Sequence, residues 1–146
     1  MPNPLVEALA NMYGTDQDIS PEFIKAWIEA ESSGNPRVRS KKGAVGLLQL
    51  RPLAAKEVGV KNRLDPEQNV QGGVDYLYKL WDRFGDLATA LAAYNVGPRN
   101  IMGGQIPKSA DPYLNKILSR SHPKQTPEDV LKGKPIRSFD WLGKNF

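Results

Sequence analysis

The sequence predicts a mostly α-helical protein, and three observations lead to that fold class. Apolar residues recur at helical spacing in several segments, and serine, aspartate or proline stands where those segments begin. Residues 87–94 are rich in alanine and apolar on almost every side, as expected of a helix at the centre of a helical fold. Residues 37–49 lack helical spacing and are rich in glycine and cations, which predicts an extended loop or a short pair of strands.

Six helices are predicted along the chain. A proline or capping residue opens most of them and a glycine closes several. They cover residues 4–12, 21–33, 52–58, 66–84, 87–94 and 111 to about 120. Residues 95–98 are expected to break the fifth helix. Helical spacing fades from Ser121, although residues 126–129 have the composition of one more helical turn.

Glu31 is the first candidate for chemistry because of its place in the helix predicted at residues 21–33. Four apolar side chains of this helix form one stripe: Phe23, Ile24, Trp27 and Ile28. Glu31 follows Trp27 by four residues and Ile28 by three, so it continues the stripe, whereas Glu29 projects away from it. We therefore expect Glu29 to face solvent and Glu31 to point inward.

Two effects are expected to raise the pKa of Glu31. Partial burial disfavours the ionised carboxylate, and so does the negative end of the helix dipole in the last turn. A carboxylic acid that stays protonated near neutral pH is able to donate a proton to a leaving oxygen, as glycoside cleavage requires. From the helix alone, the alternative is a structural glutamate satisfied by backbone amides of the next loop.

Length and composition limit the class of protein. A chain of 146 residues with 40% hydrophobic content predicts a single domain. The absence of cysteine excludes disulfides and thiolate metal sites. No segment has the pattern of a signal peptide or a membrane span, so we expect synthesis in the cytoplasm without an export signal.

The formal charge of +4 is unevenly distributed. Residues 1–106 hold twelve basic and twelve acidic side chains, whereas residues 107–146 hold eight basic and four acidic ones. This C-terminal excess is explained either as a solvated tail or as attraction to an anionic polymer or partner.

Four short blocks of the sequence resemble the signature of the soluble lytic transglycosylase catalytic domain. They are residues 31–36 (ESSGNP), Ser40 with residues 43–52 (GAVGLLQLRP), Asn69 with Tyr76-Leu77, and residues 90–98 (ALAAYNVGP). The blocks occur in the order that the family has, and the resemblance covers about residues 20–118. It implies a lysozyme-like α fold of about six to eight helices, with a short extended segment near residues 37–50. It also implies cleavage of the β-1,4 bond between N-acetylmuramic acid and N-acetylglucosamine in peptidoglycan.

The resemblance assigns roles to individual residues. Glu31 matches the family's single catalytic acid/base. The glycan-binding residues that it implies are Ser40 near the cleavage point, Gln49 lining the site, Tyr94 close to the catalytic carboxyl, Asn95 in the same block, and Tyr113 in the last helix. Without the family, Tyr94 is also explained as a core aromatic residue, and Gly43 and Gly46 as turn glycines.

The sequence departs from the family's pattern beside Gln49. Leu48 stands where the family usually has methionine and Arg51 where it often has an apolar residue, so glycan contacts here are expected to differ. A basic set precedes these positions: Arg37, Arg39, Lys41 and Lys42. It is explained either as a solvated loop or as a contact to acidic stem peptides.

The distribution of carboxylates favours a reaction without an activated water. Glycosidases that deliver water usually need a second carboxylate about 5–9 Å from the first, and goose-type lysozymes, which look similar in their Glu and Gly-Leu-Met-Gln blocks, have an aspartate between them. No Asp or Glu lies between Ser32 and Arg51 here. A single acid fits intramolecular attack by the substrate's own C6 hydroxyl, which gives a 1,6-anhydro product without a metal or cofactor. The remaining carboxylates are expected to be helix caps (Asp65, Asp86) or exposed helix faces (Glu67, Asp75, Asp82).

Two other functions remain open: a lysozyme-type hydrolase of the same bond, and a non-enzymatic module that binds the wall or builds a virion or secretion assembly. An intact Glu31 together with Gln49 and Tyr94 favours the enzyme. Nucleic-acid binding is not expected because the cations are not interleaved with aromatic residues, and the lone His122 cannot build a metal site.

The expected organisation is a catalytic domain at residues 1–122 and a basic extension at residues 123–146. We expect a monomer, unless the chain is part of a larger assembly. The expected partner of the protein is the peptidoglycan glycan strand. It would act at the bacterial cell wall, in the periplasm, after phage lysis or virion delivery.

Overall fold

Helices account for most of the residues that the structure describes, as the sequence predicts. The computed structural model describes residues 3–15 and 17–121, and within them lie six α-helices and two short 3-10 helices. The α-helices are α1 (Pro4–Tyr13), α2 (Pro21–Ser32), α3 (Pro52–Val58), α4 (Pro66–Phe84), α5 (Leu87–Val96) and α6 (Asp111–Ser121). The 3-10 helices are Pro98–Asn100 and Lys108–Ala110. The predicted turn at residues 126–129 and the proposed extension at residues 123–146 lie outside the described residues.

Local capping explains where several helices begin. The Ser20 hydroxyl accepts the backbone N–H of Phe23 at 3.1 Å, and the Asn3 side chain accepts that of Val6 at 3.3 Å. The Asp86 carboxylate accepts the N–H of Thr89 at 3.0 Å, which confirms its predicted role as the cap of α5. Each cap satisfies an N–H of a first turn that has no partner inside the helix.

Three predicted helix ends are wrong by one or two residues, and the first is that of α1, which ends at Tyr13 rather than at residue 12. Helix α2 ends at Ser32 rather than at residue 33, because Ser33 adopts the left-handed conformation with φ 53°. Helix α5 continues to Val96, so Asn95 lies on the helix and not in the loop that was predicted to break it. Gly97, whose N–H bonds to the carbonyl of Ala93, ends that helix.

The described residues divide into two compact units, a first unit up to Tyr76 and a second unit from Leu77 onward. In the first unit α1 packs against α2, and the predicted stripe of α2 is buried. The rings of Phe23 and Trp27 lie 5.8 Å apart at an interplanar angle of 56°, a tilted arrangement that aromatic pairs favour. An ion pair from Lys25 to Glu7, at 3.3 Å, joins the exposed sides of the two helices.

The segment between α2 and α3 is an extended loop with isolated β-bridges, as the sequence predicts. Arg39 is bridged to Val45, and Val45 is bridged to Leu50, both in antiparallel sense. Leu47, Leu48 and Leu50 are fully buried. The loop is therefore held in place by apolar anchors.

The second unit is built around α5. Every residue from Leu87 to Tyr94 is buried, which confirms the prediction for the alanine-rich helix. Helix α6 and the two 3-10 helices pack against α5, and α6 contributes Leu114, Ile117 and Leu118 to the core. No described helix is both long enough and apolar enough to cross a membrane.

Candidate active site

Glu31 lies in the last turn of α2 and is half-buried. The two side chains that precede it on the same helix face, Trp27 and Ile28, are 0% and 1% exposed. Glu29 is half-buried too, so the expectation that Glu29 would be exposed to solvent is wrong. Burial therefore does not distinguish the two carboxylates.

The end of α2 is anchored by hydrogen bonds that hold the backbone beside Glu31. Ser32 is buried, and its hydroxyl donates to the carbonyl of Ile28 at 3.1 Å and accepts the N–H of Gly34 at 3.2 Å. The Asn3 amide donates to the carbonyl of Gly34 at 3.2 Å. Since the last carbonyls and the following amide are bonded, the turn that carries Glu31 has a defined backbone.

Ser40 organises a tight turn in the loop. Its hydroxyl oxygen accepts the backbone N–H groups of Lys42 at 3.2 Å and Ala44 at 3.0 Å, and its own N–H donates to the carbonyl of Ala44. The side chain is exposed. No residue among 3–15 and 17–121 accepts its hydroxyl proton, so the exposed O–H is able to donate to a ligand.

Gln49 has a left-handed backbone conformation, and its side-chain amide nitrogen is already hydrogen-bonded. Its φ is +47°, in the left-handed region that few residues other than glycine occupy. Its amide nitrogen donates both hydrogens, to the carbonyls of Val38 and Gly46, each at 3.0 Å. What remains for a ligand is the carbonyl oxygen of the half-buried side chain, which is an acceptor.

Asn69 is the residue of this region to which sequence reasoning assigned no role. It lies in α4, is 0% exposed, and its amide clamps the loop with three hydrogen bonds. The side-chain oxygen accepts the N–H of Leu48 at 2.8 Å, and the nitrogen donates to the carbonyls of Val45 at 2.7 Å and Arg63 at 2.9 Å. The sequence held one signal of this role: Asn69 directly precedes Val70, the first residue of the apolar stripe of α4, so it could be expected to be buried. A buried polar side chain needs hydrogen-bond partners.

Gly46 and Arg63 complete the clamp. Gly46 has φ +86°, and a Cβ at this position would lie 2.3 Å from the Asn69 amide nitrogen, so only glycine fits. The Arg63 guanidinium donates to the carbonyls of Gly43 at 2.6 Å and Leu50 at 2.8 Å. These bonds hold residues 43–50 at both ends and in the middle. The whole segment of residues 37–50, which carries Ser40 and Gln49, is called the clamped loop below.

The other three predicted site residues belong to the second unit. Tyr94 is buried in α5, with 7% of its surface exposed. Asn95 follows it on the same helix and is half-buried, as is Tyr113 in the first turn of α6. Helices α5 and α6 thus carry three of the five residues that the family resemblance assigned to glycan binding.

The structure also accounts for two of the remaining acids. Asp86 accepts the Thr89 hydroxyl at 2.6 Å in addition to its capping bond. Glu67 is exposed and accepts the Tyr13 hydroxyl at 3.0 Å. Burial, followed by that hydrogen bond, raises the pKa of Tyr13. Within the described part of the chain, no three His, Cys, Asp or Glu side chains are grouped as metal ligands would be.

Comparison with known proteins identifies the family of this chain. The family model described as the transglycosylase SLT domain matches residues 8–110. The transglycosylase of Enterobacteria phage PRD1 is 43% identical over 101 residues, which cover 69% of this chain and 37% of that protein. A membrane-bound lytic murein transglycosylase F from Desulfosudis oleivorans is 40% identical over 109 residues, covering 70% of this chain and 23% of that protein.

A solved structure shows the same fold. The crystal structure of the 70 kDa soluble lytic transglycosylase from Escherichia coli superposes with a TM-score of 0.64 at 28% identity, covering 78% of this chain and 23% of that one. The chain spans only 37% and 23% of the lengths of the two sequence relatives. The matched residues include Glu31, the clamped loop and Tyr94-Asn95, whereas Tyr113 lies beyond them. With its mostly α, lysozyme-like fold, the chain belongs to the transglycosylase SLT domain family.

Proposed function

We propose that this chain is a peptidoglycan lytic transglycosylase that cleaves the bond between N-acetylmuramic acid and N-acetylglucosamine. The observation that carries the proposal is Glu31, a half-buried acid on an anchored helix end, within a match to the SLT domain that covers residues 8–110. The relatives named as transglycosylases support the same reaction for this chain.

Glu31 performs both proton transfers of the proposed reaction. It first donates its proton to the glycosidic oxygen as the bond from that oxygen to C1 breaks, while the substrate's N-acetyl group supports C1. The ionised Glu31 then removes the proton of the C6 hydroxyl as that oxygen bonds to C1. The leaving chain gains one proton, Glu31 regains one, and no water is consumed. The new end is a 1,6-anhydro sugar.

The clamped loop is proposed to supply complementary groups to the glycan. Ser40 presents an exposed hydroxyl that is able to donate, and Gln49 presents a carbonyl oxygen that accepts. Tyr94, Asn95 and Tyr113 are proposed as further glycan-binding residues. Because the amide of Gln49 is fixed by two bonds, little side-chain entropy is lost when the substrate binds.

The test is the product chemistry of the purified protein on peptidoglycan, read by mass spectrometry. Wild type should release muropeptides that end in the anhydro sugar and are lighter than reducing-end products by one water. Predominantly reducing ends would show that the chain is a lysozyme-type hydrolase with the same Glu31.

The assignment of Glu31 is tested with a matched pair of variants. Glu31→Gln should fold normally and lose nearly all activity, since an amide cannot exchange the proton. Glu29→Gln is the control, because it makes the same change on the same helix at a residue that is also half-buried. Turnover above a few per cent in Glu31→Gln, or an equal loss in Glu29→Gln, would contradict the assignment. A raised pKa of Glu31 remains a prediction, and the alkaline limb of the pH–rate profile would measure it.

The setting of the protein is part of the proposal. We propose that it acts at the bacterial cell wall, as a phage endolysin or a virion-associated lysin, and the phage PRD1 relative supports that setting. The catalytic domain is proposed to comprise residues 1–122, followed by a basic extension at residues 123–146.

A further inference from the structure

The basic loop, residues 37–42, presents four cations to solvent. Arg37, Arg39, Lys41 and Lys42 are all exposed. None of them forms an ion pair with a carboxylate in the part of the chain that the structure describes. Residues 32–56 contain six lysines and arginines and no aspartate or glutamate. The positive charge of this loop therefore has no counter-charge nearby in sequence.

The basic loop has an ordered backbone. The Asn35 side chain accepts the N–H of Arg37 at 2.9 Å, and the Ser40 hydroxyl accepts two amides in the turn that carries Lys41 and Lys42. Arg39 is bridged to Val45. A ligand that contacts these cations therefore does not have to order the backbone that presents them, which lowers the cost of binding.

The basic loop is the first part of the clamped loop, and it is bonded to the part that carries Gln49. The carbonyl of Val38, between Arg37 and Arg39, accepts both the Gln49 amide at 3.0 Å and the Gly46 N–H at 2.9 Å. A glycan strand beside Gln49 would pass close to these cations. The groups that project from such a strand are its stem peptides, which carry free carboxylates.

We infer that the basic loop binds the carboxylates of peptidoglycan stem peptides and so contributes to the affinity for peptide-bearing glycan. This inference rests on the proposed function and names the part of the substrate that the loop recognises. Its physical basis is charge complementarity between exposed, mutually repelling cations and an anionic ligand. Arginine is suited to pair with a carboxylate through two hydrogen bonds, whereas lysine acts as a point charge.

The test compares two forms of one insoluble substrate: intact sacculi with free stem-peptide carboxylates, and the same sacculi after chemical amidation of those carboxylates. Binding is measured by cosedimentation with proteins that carry Glu31→Gln, so that cleavage does not alter the substrate. In that background, the loop variant carries Arg39→Gln, Lys41→Gln and Lys42→Gln. The control variant carries Lys56→Gln and Lys61→Gln, which remove two exposed cations of the same unit.

We expect the loop variant to bind intact sacculi about five- to tenfold more weakly than the parent, as three exposed charge pairs would produce. Amidation should weaken the parent by a similar factor and weaken the loop variant, which keeps Arg37, much less. Salt should weaken the parent on intact sacculi more than the loop variant, because exposed charge pairs are screened. The control variant should behave as the parent does.

Three results would overturn the inference. They are unchanged binding by the loop variant, an equal loss on both forms of sacculi, and tighter binding of the parent to duplex DNA than to intact sacculi. Failure of the proposed function gives a different result, since wild type would then release no muropeptides, or only muropeptides with reducing ends, whatever the binding data show.

Discussion

Replacement of Asn69 by alanine should destabilise the protein and slow cleavage, because one buried amide holds the loop that carries Gln49. The substitution removes three hydrogen bonds of 2.7–2.9 Å. At about 1 kcal/mol for each bond, the expected loss of unfolding free energy is about 3 kcal/mol. For a chain of this size that loss lowers the melting temperature by roughly 10 °C.

The expected kinetic effect follows from the position of the loop. With the clamp removed, the backbone from Val45 to Gln49 loses its fixed geometry, and a displacement near 1 Å costs roughly 10- to 100-fold in turnover. Melting curves followed by circular dichroism give the stability, and muropeptide release per folded molecule gives the rate.

Val70→Ala is the matched control. Val70 is the next residue of α4 and is fully buried, so its truncation should cost about 1–3 kcal/mol without removing a hydrogen bond to the loop. Val70→Ala should therefore melt earlier and keep its turnover per folded molecule. If Asn69→Ala also keeps its turnover, the clamp serves stability alone. A loss of stability below about 1 kcal/mol would refute the calculation from the three bonds.

A coupled substitution tests the contact with Gly46. Gly46→Ala should be strongly destabilising, because its Cβ meets the Asn69 nitrogen at 2.3 Å and the backbone has φ +86°. In the Asn69→Ala background the clash with the amide is gone, while the 2.9 Å approach to the Arg63 carbonyl oxygen and the backbone strain remain. The double variant should therefore lose about 1 kcal/mol less than the sum of the two single losses. Simple additivity would contradict the proposed contact.

Two further predictions concern the ion pair of Lys25 in the first unit and the C-terminal end of the proposed catalytic domain. The hydrogen bond that Lys25 donates to Glu7 is the largest influence on the Lys25 pKa and raises it above its usual 10.5; burial opposes this rise, and the hydrogen bond to Glu22 adds to it. The stability that this pairing contributes is therefore fully present below pH 10.5 and is lost as pH rises through the folded-state pKa. Lys25→Met should lower the melting temperature by about 1–3 °C at pH 8 and by less above pH 11, and a pH-independent difference would exclude the charge as its cause. Truncation after residue 122 should preserve a cooperative melting transition and alter binding to cell walls; collapse of that transition would show that the core requires residues beyond 122.

Much of the helical architecture was predictable from the sequence because its causes are local. The Ser20-Pro21 start, the Asp86 cap and the glycines after α1 and α3 act within a turn of the helix that they bound. The buried face of α2 followed from the spacing of its apolar residues. Glu31 followed from the same spacing and from the family resemblance, which requires only residue types in order.

Tertiary structure decided how the candidate site is held together. Asn69 bonds to Leu48 across 21 residues of chain, and no periodicity links the two positions. The left-handed backbone of Gln49 and the use of both of its amide hydrogens depend on where Val38 and Gly46 lie in the folded loop. The half-buried state of Glu29 likewise depends on what packs beside α2. Local sequence sets backbone propensity within a few residues, whereas distant segments determine which polar groups are buried and which partners satisfy them.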